Sequence, residues 1–316
     1  MLNRQSILLI LCGLQFSTFV ASGKIETNEF IEDSNFTSGM SYTDATLYGL
    51  VEGFTEFLPI SSTGHLILLS ELLSTGKADE YEEAINAYLI VIQAGAIMAV
   101  ALIYRKELWS IILGILGLDP RGRRLGLNLF LAFLPAAMLG PFLDDLIESK
   151  LFGLLPVALA LLFGAFLMWW AERKKRKICG ELSVAKEKSL DDLAWNHSIF
   201  IGIMQCFAMW PGTSRSMMTI VGGYLVGLER AKAAEFSFLL GLITLTAAAG
   251  YKGVTKWDAM AMNLELGPVL WGCLVAGVSA ALSVYWLVGY LTRRGLGLFV
   301  WYRIILSAVI FYFYFS

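Results

Sequence analysis

The chain has 316 residues, 57% of them apolar and only 16% charged, with a formal net charge of −2. Soluble globular domains run at roughly 45–50% apolar, so the bilayer is the expected solvent, and the near-neutral charge excludes a surface built for nucleic acid or another polyanion. Four cysteines, Cys12, Cys179, Cys206 and Cys273, are far apart and lack a CxxC spacing, which excludes a zinc-finger pattern or a disulfide framework and leaves them as small packing residues.

In chain order, Arg4, the apolar run Ile7 to Val20 and the small residues Ala21, Ser22 and Gly23 read as a signal peptide over 1–22, with an uncleaved signal anchor as the alternative. Residues 23–41 are polar and mildly acidic, a flexible extension. Residues 42–316 form the membrane-embedded domain. Six stretches reach the roughly 20 apolar residues that a helical span requires: Ala84 to Tyr104, Leu125 to Leu143, Leu151 to Trp170, Ala233 to Tyr251, Pro268 to Tyr290 and Leu296 to Phe315. The loop Arg105 to Arg124 and the loop Glu172 to Lys188 are rich in arginine and lysine, so both are expected on the cytoplasmic side. The connection carrying Asp144, Asp145 and Glu148 then lies outside.

Alternating forward and backward from those loops leaves two segments, Tyr42 to Leu73 and Ala194 to Leu228, that enter and leave from one side each, the first from outside and the second from inside. Each apolar run is interrupted at its middle by polar residues and a proline, Pro59 or Pro211, followed by hydroxyl residues suited to capping a second half-helix. Irregular backbone at membrane depth is tolerated only inside protein or along a wet cavity. The segments also match one another: Gly49, Glu52, Pro59, Ser61, Ser62 and Gly64 align with Gly202, Gln205, Pro211, Thr213, Ser214 and Ser216, given one gap before the proline. The expected fold is therefore an all-α polytopic membrane protein of about six transmembrane helices. Two re-entrant half-helix pairs complete it as an inverted-topology repeat, the first repeat over 42–143 and the second over 194–290.

The chemistry concentrates in those two segments. Glu52 and Glu56, at i and i+4, share one helix face, and two carboxylates so close call for a cation or a shared proton. A structural ion pair with Arg215 is the plainer reading. Ser61, Ser62 and Thr63 stand where a half-helix begins, a place that attracts phosphate, although any one of them could serve only as a cap. His65 follows on the same face, the one titratable base near hydroxyls and carboxylates, and those carboxylates are expected to orient it. Arg215, between Ser214 and Ser216, offers a planar fork for phosphate oxygens. His197 is expected at the interface. The combined parts suit phosphoryl transfer, with a transporter of an anionic polyprenyl lipid, or a non-catalytic lipid-binding protein, as rival classes.

At EGFTEFLPISSTGH, Glu52 to His65, and PGTSRS, Pro211 to Ser216, the sequence resembles the undecaprenyl-diphosphate phosphatase family, also called the bacitracin-resistance protein family. The likeness runs over about residues 42–316 and leaves 1–41 outside it. It implies a multi-pass enzyme of the bacterial inner membrane, with its site open to the outer side. That enzyme converts undecaprenyl diphosphate to undecaprenyl phosphate and inorganic phosphate, recycling the carrier for cell-wall synthesis. It implies Glu52, Glu56, Ser62, His65 and Arg215 as catalytic residues, Ser61, Thr63, Ser214 and Ser216 as substrate contacts, and a divalent cation, Mg²⁺ or Ca²⁺, on Glu52 and Glu56. The partners implied are a polyprenyl diphosphate lipid and the bilayer, without nucleic acid, and a homodimer is left open. The attacking group stays open between Ser62, His65 and an activated water.

Overall fold

A computed structural model of the protein describes residues 40–74, 79–181, 187–255 and 265–315. The leader over 1–22 and nearly all of the extension over 23–41 lie outside the described residues. The described chain is almost entirely helical, with an isolated bridge between Lys188 and Leu228. Helix α1 (Tyr42–Glu56) is capped by Ser41, whose hydroxyl accepts from the Asp44 N–H at 3.0 Å. It breaks at the turn 57–61, and α2 (Ser62–Ser74) follows. Next come α3 (Asp79–Ile103), α4 (Arg105–Ile115), α5 (Pro120–Leu151) and α6 (Leu154–Glu181). The second broken segment comprises α7 (Trp195–Cys206), a short 3-10 turn Phe207–Met209 and α8 (Arg215–Leu225). Helices α9 (Arg230–Thr255), α10 (Leu266–Arg294) and α11 (Gly297–Phe315) complete the chain.

Five of these helices are long and apolar enough to cross a hydrocarbon core, and six if α3 and α4 count as one broken span. The six expected spans fall on α3, α5, α6, α9, α10 and α11, and both interrupted segments are pairs of short helices. Two connections differ from expectation. The basic stretch after Tyr104 is not a plain loop: it forms α4, bent by 78° from α3, and turns into α5 where Asp119 and Pro120 occupy the N-cap and first helical positions. Asp119 accepts from the Arg121 and Gly122 N–H groups and from the Ser110 hydroxyl of α4; that hydroxyl, first, and the two amides hold its carboxyl below its ordinary pKa. The acidic residues Asp144, Asp145 and Glu148 likewise lie inside α5, which continues through Pro135 and Pro141 as far as Leu151. Helical apolar periodicity cannot by itself reveal where a helix runs on past its membrane-length portion.

Close packing of helices fixes the two broken segments. α1 lies along α10, and α7 lies along α5. Gly49 and Gly202, matched in sequence, do the same work in each: a methyl on Gly49 would come 2.7 Å from the Gly272 carbonyl of α10, and one on Gly202 would overlap the Ala132 carbonyl of α5. Gly95 of α3 meets the Cys273 backbone of α10 in the same manner. Gly95→Ala must push two backbones apart, so we expect a thermal midpoint lowered by an overpacking cost of about 1–3 kcal/mol. Gly140→Ala, with nothing within 4 Å of the added carbon, serves as the control. Equal melting of the two variants in detergent would refute this view of the α3–α10 contact.

Candidate active site at two broken helices

The two breaks are built alike. Ser61 and Ser214, each immediately before a helix, are the only described non-glycine residues with positive φ, at 76° and 73°. This backbone costs about 1–3 kcal/mol at each, and each side chain compensates as a cap. The Ser61 hydroxyl accepts from the Gly64 N–H at 3.3 Å, and the Ser214 hydroxyl from the Met217 N–H at 3.3 Å. Structurally, then, Ser61 corresponds to Ser214 and Ser62 to Arg215. The sequence register that set Ser61 against Thr213 and Ser62 against Ser214 is off by one after the proline, because the second tip carries one extra residue between proline and cap.

That shift has a chemical meaning. The first helical residues of α2 and α8 are Ser62 and Arg215, and both reach the same carboxylate. Ser62 Oγ donates to Glu56 Oε2 at 2.5 Å, and Arg215 Nη2 donates to Glu56 Oε1 at 3.1 Å. The Glu56 and Arg215 side chains are only 7% and 10% exposed, so this ion pair is screened little by solvent. Arg215 Nη1 donates to the Ser237 carbonyl of α9 at 3.0 Å, while its Nε has no hydrogen-bond partner among the described residues. Gly241 of α9 leaves room for the guanidinium, which any side chain there would strike. Phe57 lies beneath, with the Arg215 guanidinium carbon 5.5 Å from its ring centre, and Phe57 in turn packs edge-on against Phe238 at 5.7 Å.

Glu52, one turn before Glu56, is fully buried, and neither carboxylate oxygen has a hydrogen-bond partner among the described residues. Two uncompensated carboxylate oxygens in a dry site are costly. They fit a divalent cation well, since Mg²⁺ and Ca²⁺ take hard oxygen ligands. Among the described residues no group of three His, Cys, Asp or Glu side chains surrounds one point, so a cation on Glu52 and Glu56 would draw its other ligands from substrate oxygens and water.

The remaining expected residues divide. Ser216 Oγ donates to the Leu58 carbonyl at 2.7 Å, and Ser214 shares a hydrogen bond with Ser216 at 3.0 Å, so the second tip grips the first through backbone. Thr63 is half-buried in the first turn of α2. His65 does not meet the carboxylates that were expected to orient it. Its Nδ1 lies 2.7 Å from the Ser61 carbonyl, and its Nε2 lies 2.6 Å from the Tyr302 hydroxyl of α11, with the two rings stacked at 5.6 Å. A carbonyl accepts only, so Nδ1 carries hydrogen and, in the neutral ring, Nε2 accepts from Tyr302. His197 takes no part in this cluster; its Nδ1 accepts from the Ala194 N–H at 3.4 Å.

Sequence reasoning missed Tyr302 and Arg303. Arg303 is wholly buried, and its guanidinium donates to four backbone carbonyls: Leu161 at 3.1 Å, Ala160 at 3.1 Å, Gly212 at 2.9 Å and Pro59 at 3.4 Å. An arginine at the centre of a span costs about 3 kcal/mol on insertion scales, and a lone one in the otherwise apolar run Gly297–Phe315 was the signal available.

The fold and site together define a polytopic helical membrane protein with an intramembrane polar centre assembled across two broken helices, having the clamp, acceptor and hydroxyl of a phosphoryl-transfer site. Its sequence matches the family described as bacitracin resistance protein BacA over residues 45–309, and the chain belongs to that family. It is 42% identical over 260 residues to an undecaprenyl-diphosphatase of Azotobacter vinelandii, covering 82% of this chain and 89% of the relative. It is 42% identical over 266 residues to undecaprenyl-diphosphatase 2 of Rhodospirillum rubrum, covering 84% and 92%. A third relative, an undecaprenyl-diphosphatase of Sorangium cellulosum, is 44% identical over 278 residues, covering 86% of each chain.

Proposed function

We propose that the protein hydrolyses undecaprenyl diphosphate to undecaprenyl phosphate and inorganic phosphate, and that Ser62 is the attacking group. The observation that carries this reading is the convergence of Ser62 and Arg215, from opposite tips, on the two oxygens of Glu56. The terminal phosphoryl group of the lipid binds at the start of α2, where helix-end N–H groups favour an anion, and Arg215 turns its unpartnered Nε toward it. Drawing the guanidinium onto phosphate frees Glu56 to act as base. Ser62 Oγ attacks the terminal phosphorus, its proton passes to Glu56, and the bond to the bridging oxygen breaks, releasing the lipid monophosphate. Water then attacks the phosphoserine; Ser62 leaves as alkoxide and regains its proton from Glu56, while the water's protons depart with inorganic phosphate. Arg215 stabilises the charge on the equatorial oxygens throughout.

Glu52 and Glu56 would hold the divalent cation, Mg²⁺ or Ca²⁺, and when bound it neutralises diphosphate charge as a Lewis acid. Both ring nitrogens of His65 are engaged by Ser61 and Tyr302, so its part is to stiffen the first turn of α2 and not to attack phosphorus. We place the enzyme in the bacterial inner membrane with the site open to the outer side. This placement is supported by the basic residues of α4, the start of α5 and the end of α6, which the positive-inside rule assigns to the cytoplasm.

Purified wild-type protein is expected to release phosphate from undecaprenyl diphosphate in Mg²⁺ or Ca²⁺. Exhaustive chelation should lower the rate by about 10²-fold or more, with recovery on returning the cation. An unchanged rate after chelation removes the cation from the proposal. Trapped phosphoenzyme should survive acid, as a serine ester does; acid-labile phosphate would instead assign the attack to His65.

A further inference from the structure

We infer that Arg303 is a positioning residue that sets the register between the two tips, and so the approach of Arg215 to Ser62 and Glu56, without touching substrate. The inference rests on the phosphatase reading above. Arg303 sits on α11, in neither broken segment. Two of its four acceptors, the Pro59 and Gly212 carbonyls, lie at the corners of the first and second breaks. The other two, Ala160 and Leu161, lie on α6, which packs along α11 and is tied to it again where Ser307 Oγ donates to the Ala158 carbonyl at 2.9 Å. One planar cation therefore fastens both corners to the same α6–α11 pair.

The surroundings are arranged for this tie. Gly164, one turn after Ala160, leaves the space that the guanidinium fills, and any side chain at 164 would strike it. No carboxylate among the described residues pairs with Arg303. Among the described residues its charge is met by backbone carbonyl dipoles, one of the ways an intramembrane cation is accommodated. The corner carbonyls point away from helical partners because each break interrupts the ladder, so they need an outside donor. Arg303 supplies it to both at once. Only a planar fork can do so; an ammonium presents its donors from a single point.

The test compares Arg303→Lys and Arg303→Met with wild type in detergent, using two readouts. Binding stoichiometry and affinity are measured with an uncleavable lipid methylenediphosphonate, and kcat is expressed per binding-competent molecule. We expect Arg303→Lys to bind the analogue within a few-fold of wild type while kcat per site falls about tenfold, and Arg303→Met to lose on the order of 10²-fold, the penalty of an ångström-scale misplacement. A merely structural role would reduce the competent fraction and leave kcat per site unchanged, and that result overturns the inference. So does a fully active lysine variant, which would reduce Arg303 to a distant charge. Should neither variant bind the analogue, Gly164→Ala decides, since it keeps the arginine and displaces its guanidinium: a wild-type kcat per site there also overturns it. Absence of turnover by wild type itself would defeat the phosphatase reading instead.

Discussion

Ser62→Ala is expected to reduce phosphate release from undecaprenyl diphosphate on the order of 10³-fold or more, while binding of an uncleavable diphosphonate stays within a few-fold. The asymmetry follows from the site. The hydroxyl donates at 2.5 Å to Glu56, the geometry of a nucleophile held against its base, whereas on the proposed reading phosphate is held by Arg215 and the helix end. Removing Ser62 leaves the clamp intact and takes away only the group that attacks. Glu56→Gln should cost a similar factor, and the double variant should be scarcely worse than either single one, because the two act as a unit.

The neighbouring serine makes the comparison sharp. Ser61→Ala loses a cap at a residue with φ of 76°, so its expected signature is a loss of stability of about 1 kcal/mol, read as a lower thermal midpoint, with substantial turnover retained. Were Ser62→Ala to keep a tenth of wild-type turnover, the attack would have to be reassigned to water, with Ser62 demoted to a phosphate contact. These two adjacent hydroxyls, indistinguishable by type, should therefore separate cleanly by which quantity each one moves.

Much of this arrangement was legible in the sequence, and the reasons for the exceptions are physical. Long apolar runs located the spans, since nothing else places twenty apolar residues in a row. The two interrupted runs pointed to the candidate site, because Glu52, Glu56 and Arg215 cannot face lipid, and the structure buries Glu52 and Glu56 and nearly buries Arg215 at the two breaks. Helix α4 escaped notice because its 11 residues fall short of a span and its basic residues read as loop. The spacing of Glu52 and Glu56 gave their shared face, and an ion pair of one of them with Arg215 was among the readings, yet not that Glu56 takes both Arg215 and Ser62 while neither Glu52 oxygen has a partner among the described residues. His65 was judged by chain neighbours, but its decisive partner is Tyr302, 237 positions away. Arg303 was passed over although it is the one charged residue in Gly297–Phe315, because its acceptors are backbone carbonyls, which every residue carries and no motif marks. The one-residue register shift at the second tip shows in the positive φ and the capping bonds that Ser61 and Ser214 have in common, neither of which the residue types reveal.

Arg215→Ala should lower kcat by about 10³–10⁵-fold, the range lost when an arginine that stabilises a phosphoryl transition state is removed. It should also destabilise the fold, since Glu56 is left as a buried carboxylate without its cation, a loss of about 3–5 kcal/mol for a broken buried pair. The two effects can be separated. Pairing Arg215→Met with Glu56→Gln removes both charges, so stability should largely return while activity does not. Arg215→Lys is not expected to rescue: the guanidinium stays anchored to the Ser237 carbonyl through Nη1 while Nη2, moving off Glu56, and Nε turn to the phosphate oxygens, and a lysine cannot hold such separate directions from one atom. Gly241→Ala probes the same geometry with Arg215 still present, because the added methyl strikes the guanidinium; turnover should fall far more than the melting temperature. A lysine variant near wild-type activity would show that charge alone suffices at this position, and the argument for a directed fork between the two tips would fail with it.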